Sequence, residues 1–249
     1  MLDKRVLGGI LDKALARGGD FADIFIEDRA TTLVSCEENR IERIKTGGET
    51  GAGVRVVYGD TTAYAYTNKV TEEELLKVAD VASRAAKGAK RDVAVDLREV
   101  RPTVDLDVKI LPDTVAIEDK VAAVETVNRT ARAVDGRIKQ VMAVYGDVIQ
   151  DVTIANSLGR LVTDRRVRTR LSINAIAAEG NQIQTGFEAL GSNQGFELIN
   201  QEAAEGLAAV AARRAVTALE AKPAPAGKMT VVMAGEAGGT MVHEACGHG

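Results

Sequence analysis

Tryptophan is absent from this 249-residue chain, and phenylalanine and tyrosine bring the aromatic share to only 3%. Stacking platforms for single-stranded nucleic acid are built from such rings, so the composition argues against that class of ligand. Cysteine is nearly absent too. Cys36 and Cys246 lie far apart in sequence and provide no disulfide framework. No apolar run reaches the ~20 residues that span a bilayer. The N-terminus, Met1-Leu2-Asp3-Lys4-Arg5, leads into an amphipathic helix and not into an apolar segment with a small-residue cleavage site, so a cytoplasmic location is expected. Surplus positive charge is missing as well. A net charge of -4 and a pI near 5.4 offer no general attraction to nucleic acid or anionic membrane, and neither is expected as a direct partner. There is no GxxxxGK[ST] and no strand-linked GxGxxG, so nothing points to a nucleotide cradle.

The chain does have apolar material for one or two cores, at 45% hydrophobic and 27% charged residues. Val6, Leu7, Ile10, Leu11, Ala14 and Leu15 recur at helical spacing, and Gly18-Gly19 stops that helix. Strand-like segments follow at 21–27, 31–37, 41–45, 53–58 and 61–67, the last two joined by a Gly59-Asp60 turn. Thr71-Glu72-Glu73-Glu74 reads as a capping box that opens a helix to about Ala86. The same order then repeats. A helix is predicted over about 115–134, strand-like stretches over 138–145, 148–155, 160–178 and 182–189, and a closing helix over about 201–219. The expected fold class is therefore α+β, with a helix–antiparallel meander–helix unit occurring twice. The expected divisions are an N-terminal domain over 1–90, a linker over 91–112, a central domain over 113–221 and a last segment over 222–249.

Both histidines of the chain fall in that last segment, in His243-Glu244-Ala245-Cys246-Gly247-His248. Neutral imidazoles are common zinc ligands, and an adjacent carboxylate is the usual base toward metal-bound water. The pattern is HExxxH. On a straight helix, residues i and i+5 lie roughly 140° apart, against about 40° for i and i+4. The two imidazoles can therefore share one ion only if the helix bulges between them, and Gly247 is where that distortion is expected. Upstream, Met229 to Met233 has strand character and 235–239 reads as a glycine turn. Thr240 is expected to cap the ligand-bearing helix, with Met241 and Val242 in a core. Cys246, three residues after His243, is open to two readings: a thiolate ligand or a small buried thiol.

Five arginines fall between Arg160 and Arg170. In a strand Arg166, Arg168 and Arg170 share one face, either to bind a carboxylate or phosphate or as a solvated face balanced by acidic residues. Asp105 and Asp107 in the linker, and Glu42 and Asp60 in hairpins, receive no role.

These residues resemble the TldD/PmbA metallopeptidases, also known as modulators of DNA gyrase. Residues 47–70, GGETGAGVRVVYGDTTAYAYTNKV, resemble the family's N-terminal block. Asn156-Ser157-Leu158-Gly159 and Val167-Arg168-Thr169-Arg170 resemble its central domain. Pro225-Ala226-Gly227 and VVMAGEAGGTMVHEACGHG resemble the opening of its catalytic domain, with the HExxxH of the TldD-type subunit. The resemblance implies that His243 and His248 are zinc ligands and that Glu244 is the base. It implies a third ligand, a cysteine, in a C-terminal domain beyond Gly249, which would make this chain a fragment. It also implies a peptide or unfolded polypeptide as substrate and a PmbA/TldE-type sister subunit, or a second copy, as partner. The competing expectations are a non-catalytic binding or assembly module and a direct modulator of a DNA-processing enzyme.

Overall fold

The computed structural model describes residues 2–86, 95–101 and 106–248. Asp105, part of the expected linker and Gly249 fall outside them. Two units separate, residues 1–219 and 220–249.

In the larger unit, helix α1 (Lys4–Leu15) starts where the Asp3 carboxylate accepts the Arg5 backbone N–H at 2.8 Å. It buries Leu7, Ile10, Leu11, Ala14 and Leu15. Gly18 and Gly19, at φ 92° and 150°, turn the chain into the sheet. A Cβ on Gly19 would stand 2.8 Å from Leu15 Cδ2. The first meander is β1 (Phe21–Glu37), β2 (Arg40–Tyr58) and β3 (Thr61–Thr67). Helix α2 (Glu72–Ala85) is capped as expected, the Thr71 hydroxyl accepting the Glu74 N–H at 3.3 Å. After the short β4 (Arg98–Glu99) come α3 (Ile117–Val134), the second meander β5 (Ile138–Asn156), β6 (Arg160–Glu179) and β7 (Gln182–Ser192), and then α4 (Gln201–Glu220).

Several strands are longer than the sequence pattern predicts. The segments expected at 21–27 and 31–37 are one strand, as are those at 138–145 and 148–155. The polar stretch Asp28 to Thr32 and the Gly146-Asp147 pair read as interruptions. Both have ladder partners on two sides, and no residue in either stretch takes the positive φ of a tight turn. Backbone hydrogen bonds to neighbouring strands override weak local propensity.

The order across the sheet is β3-β2-β1-β5-β6-β4, with β7 also on β6. Pairing is antiparallel apart from β4 with β6. The two meanders fuse along β1 and β5, from Asp23 opposite Asn156 to Glu37 opposite Met142. Even positions of β1 and odd positions of β5 and β6 share one face, and two cores form there. Ile24, Val54, Val56 and Ala155 pack with α1 and α2. Val34, Tyr145, Leu171 and Ile173 pack with residues of α3 and α4. Helix α4 approaches β7 closely enough that a Cβ on Gly186 would lie 2.0 Å from the Ala211 carbonyl oxygen.

One buried polar group was passed over in the sequence. Lys120 lies three residues after Ile117 and four before Val124, on the stripe that faces the core. Its ammonium donates to Asp147 Oδ2 at 2.7 Å, and the Tyr145 hydroxyl donates to the same oxygen at 2.8 Å. Burial first, and then the Asp147 charge, pushes the Tyr145 phenol well above its usual range. Thr169, opposite Asp147 in the ladder, has a buried hydroxyl without a hydrogen-bond partner among the described residues.

The opposite face of the sheet carries Leu33, Val144 and Val148, half-buried, and exposed Met142, Tyr64, Tyr66 and Phe187. No helix among the described residues is long and apolar enough to cross a membrane.

Candidate metal centre

Residues 220–249 depart from the sequence reading in several details. Met229 to Met233 forms no strand, because no described residue offers it a ladder, and Val232 is 95% exposed. The expected glycine turn is helical. Helix α5 spans Gly235–Val242 with Ala234 at its N-cap, and the Gly238 N–H donates to the Ala234 carbonyl at 2.8 Å. Glycine lowers helix stability by about 1 kcal/mol relative to alanine but does not forbid the helix. Thr240 is consequently inside the helix and not its cap; its hydroxyl donates to the Glu236 carbonyl at 3.3 Å. Met241 and Val242 are exposed and not in a core, since no described element packs on them.

The bulge expected between the histidines is present. His243–Gly247 forms a π-helical turn directly after α5. Hydrogen bonding from i to i+5 widens the turn, so the residue five positions on stands beside the first. The imidazoles of His243 and His248 sit edge to face with centroids 4.4 Å apart. One ligand atom each from His243, Glu244 and His248 lies within 4.8 Å of the others, and all three residues are exposed. A Cβ on Gly247 would stand 2.9 Å from His243 Nδ1, so the glycine leaves room for the ring. Cys246 is exposed, which removes the reading of a buried thiol, and it is not part of the converging group. Two imidazoles and a carboxylate suit zinc, and their spread is within what side-chain rotation can close.

Cys36, by contrast, is a core residue of β1. Burial, followed by the nearby Glu125 charge, pushes its thiol up and away from the reactive thiolate. The arginines divide between the two faces of the sheet. Arg165 pairs with Asp151 at 3.4 Å on the helix-bearing side, whereas Arg166, Arg168 and Arg170 point to the other. Arg166 donates to Asp164 at 2.7 Å. Glu42 and Asp60 are exposed hairpin residues, and Asp107 is exposed.

The chain is similar to known proteins over most of its length. Residues 110–219 match the PmbA/TldA metallopeptidase central domain, and residues 22–86 match PmbA/TldA metallopeptidase domain 1. A metalloprotease of Methanocaldococcus jannaschii is 31% identical over 92% of this chain and 51% of its own length. A metalloprotease TldD homolog of Haemophilus influenzae is 29% identical over all of this chain and 53% of its own. The chain thus spans about half the length of the curated relatives it matches. Among solved structures, a proposed modulator of DNA gyrase from Bacteroides thetaiotaomicron superposes with a TM-score of 0.67 at 18% identity, covering 86% of this chain and 49% of that one. TldE from Thermococcus kodakarensis superposes at 0.63 and 15% identity, covering 86% and 47%. The chain belongs to the PmbA/TldD metallopeptidase family.

Proposed function

We propose that this chain supplies two metal ligands and the general base of a zinc-dependent metallopeptidase acting on peptides or unfolded polypeptides. The observation that carries the reading is the π-helical turn, which brings His243 and His248 together beside Glu244. His243 and His248 would hold the ion, with a third ligand from outside the described residues. Zinc, when bound, supplies a Lewis acid that polarises the scissile carbonyl and acidifies water. Glu244 takes a proton from the attacking water and delivers it to the leaving amine nitrogen. A PmbA/TldE-type sister subunit or a second copy is the partner this reading assigns. The names of the relatives support it, one of them a zinc metalloprotease TldD homolog of Saccharolobus solfataricus.

A second reading is favoured by the exposure of the whole ligand group, to which no fourth His, Cys, Asp or Glu among the described residues converges. Under it the chain is a non-catalytic binding or assembly subunit.

Elemental analysis separates the two readings. Near-stoichiometric zinc in the purified chain, lost in His243→Ala, together with peptide cleavage that falls at least ~10²-fold in Glu244→Gln, is the expected result for the peptidase. Zinc-free protein without cleavage would leave these residues, without the third ligand, only the binding role and confine the peptidase reading to a polypeptide that supplies that ligand. Cleavage indifferent to chelators would overturn the zinc mechanism.

A further inference from the structure

The face of the sheet opposite α1 to α4 carries charge that has no described counter-ion. Arg168 and Arg170 are exposed on β6 and stand roughly 6.6 Å apart along the strand. Neither guanidinium makes an ion pair or hydrogen bond among the described residues. Arg29 of β1, half-buried on the same face, is likewise unpaired. Arg29, however, faces the Glu49 carboxylate across the β1–β2 ladder, so the cations with no carboxylate opposite are Arg168 and Arg170. Other carboxylates of this face are engaged elsewhere. Asp164 accepts from Arg166, Glu27 accepts from Gln150 at 2.7 Å, and Glu37 accepts from Gln140 at 2.6 Å.

The surroundings of Arg170 leave it open on both sides. Its ladder partners are Gly146 on β5 and Gly191 on β7, so no side chain stands directly across the ladder from it on either side. A Cβ on Gly146 would meet nothing nearer than 3.8 Å, and one on Gly191 would meet the Arg170 stem at 3.5 Å. The floor beside these cations is aliphatic, with Val148 opposite Arg168 and Leu33 opposite Gly146.

We infer that this face binds a carboxylate-rich polypeptide segment through Arg168 and Arg170. Guanidinium groups without counter-ions match carboxylates in charge and in bidentate geometry. The aliphatic floor suits the side chains between the acidic residues. The exposed ring of this face on the neighbouring strand, Phe187, lies four ladder positions from Gly191 beside Arg170. No ring therefore stands next to the two guanidinium groups for a nucleobase to stack on, which favours a polypeptide over a nucleic acid. The remaining negative charge of the chain is screened beyond about 10 Å at 0.1 M salt, which leaves the local cations to decide. This inference is independent of the peptidase reading, because it concerns binding and not cleavage.

Fluorescence anisotropy of a labelled deca-glutamate with the full chain tests it. Saturable binding is expected that weakens about tenfold or more in Arg168→Gln/Arg170→Gln and on raising salt from about 50 to 500 mM. Arg165→Gln, on the opposite face, should leave it unchanged. Circular dichroism and an unchanged thermal midpoint would show that the double variant is folded. Absence of saturable binding below about 1 mM, or equal affinity in the folded double variant, overturns the proposal. Tighter binding of a single-stranded decanucleotide, lost in the same variant, would also overturn it and reassign the face to phosphate.

Discussion

A buried ammonium is tolerable only while its counter-ion is in place, and Lys120 is 3% exposed against Asp147 at 5%. Removing one member leaves an uncompensated charge in the core, which typically costs 3–5 kcal/mol, about the cost expected here for Lys120→Met. Replacing both by apolar residues removes the charge altogether. Lys120→Met/Asp147→Leu should therefore recover most of that loss, and urea denaturation of the two singles and the double measures the coupling. A double variant no more stable than the worse single would show that the pair holds the core by more than mutual neutralisation. The cluster was legible in part. Lys120 occupies a core-phased position of its helix, but nothing local marks Asp147 as its partner, 27 residues away.

At the scale of elements, helices were the easiest to read, because capping and periodicity are local signals. Thr71 caps α2 where the box predicts, and Gly18-Gly19 ends α1. Strand lengths were not legible, since a ladder is completed by residues far away in sequence; Thr32 lies between Thr46 and Asp147. The same reason explains Met229 to Met233, whose apolar pattern alone cannot make a strand without a neighbour. The π turn, in contrast, followed from counting residues between two histidines. What the sequence could not disclose was how early α5 begins, because its glycines read as a turn. Close packing between elements has a measurable counterpart at Gly186. A valine there must push α4 off β7, and overpacking of this kind costs roughly 1–3 kcal/mol. Thermal unfolding of Gly186→Val should show a lowered midpoint, and an unchanged midpoint would mean that α4 shifts freely over the sheet.

For residues 1–219 as a whole, the decisive feature is that both meanders belong to one sheet although they cover separate cores. Leu171→Ala and Ile24→Ala remove apolar groups from different cores, each at about 2–5 kcal/mol. Coupling through β1 and β5 predicts that both substitutions lower the same denaturation transition. Two transitions, each responding to only one substitution, would mean that the cores melt independently.

The join between β1 and β5 also bears on what happens when the polypeptide is cut. Each strand gives the other a ladder of some fifteen residues, from Asp23 opposite Asn156 to Glu37 opposite Met142. A piece ending near Ala86, or one beginning near Val95, would present that whole row of backbone donors and acceptors as a raw edge. Such an edge recruits any extended chain it meets. Each half expressed alone is thus expected to be found in the insoluble fraction, and the two made together should return to solution as one particle.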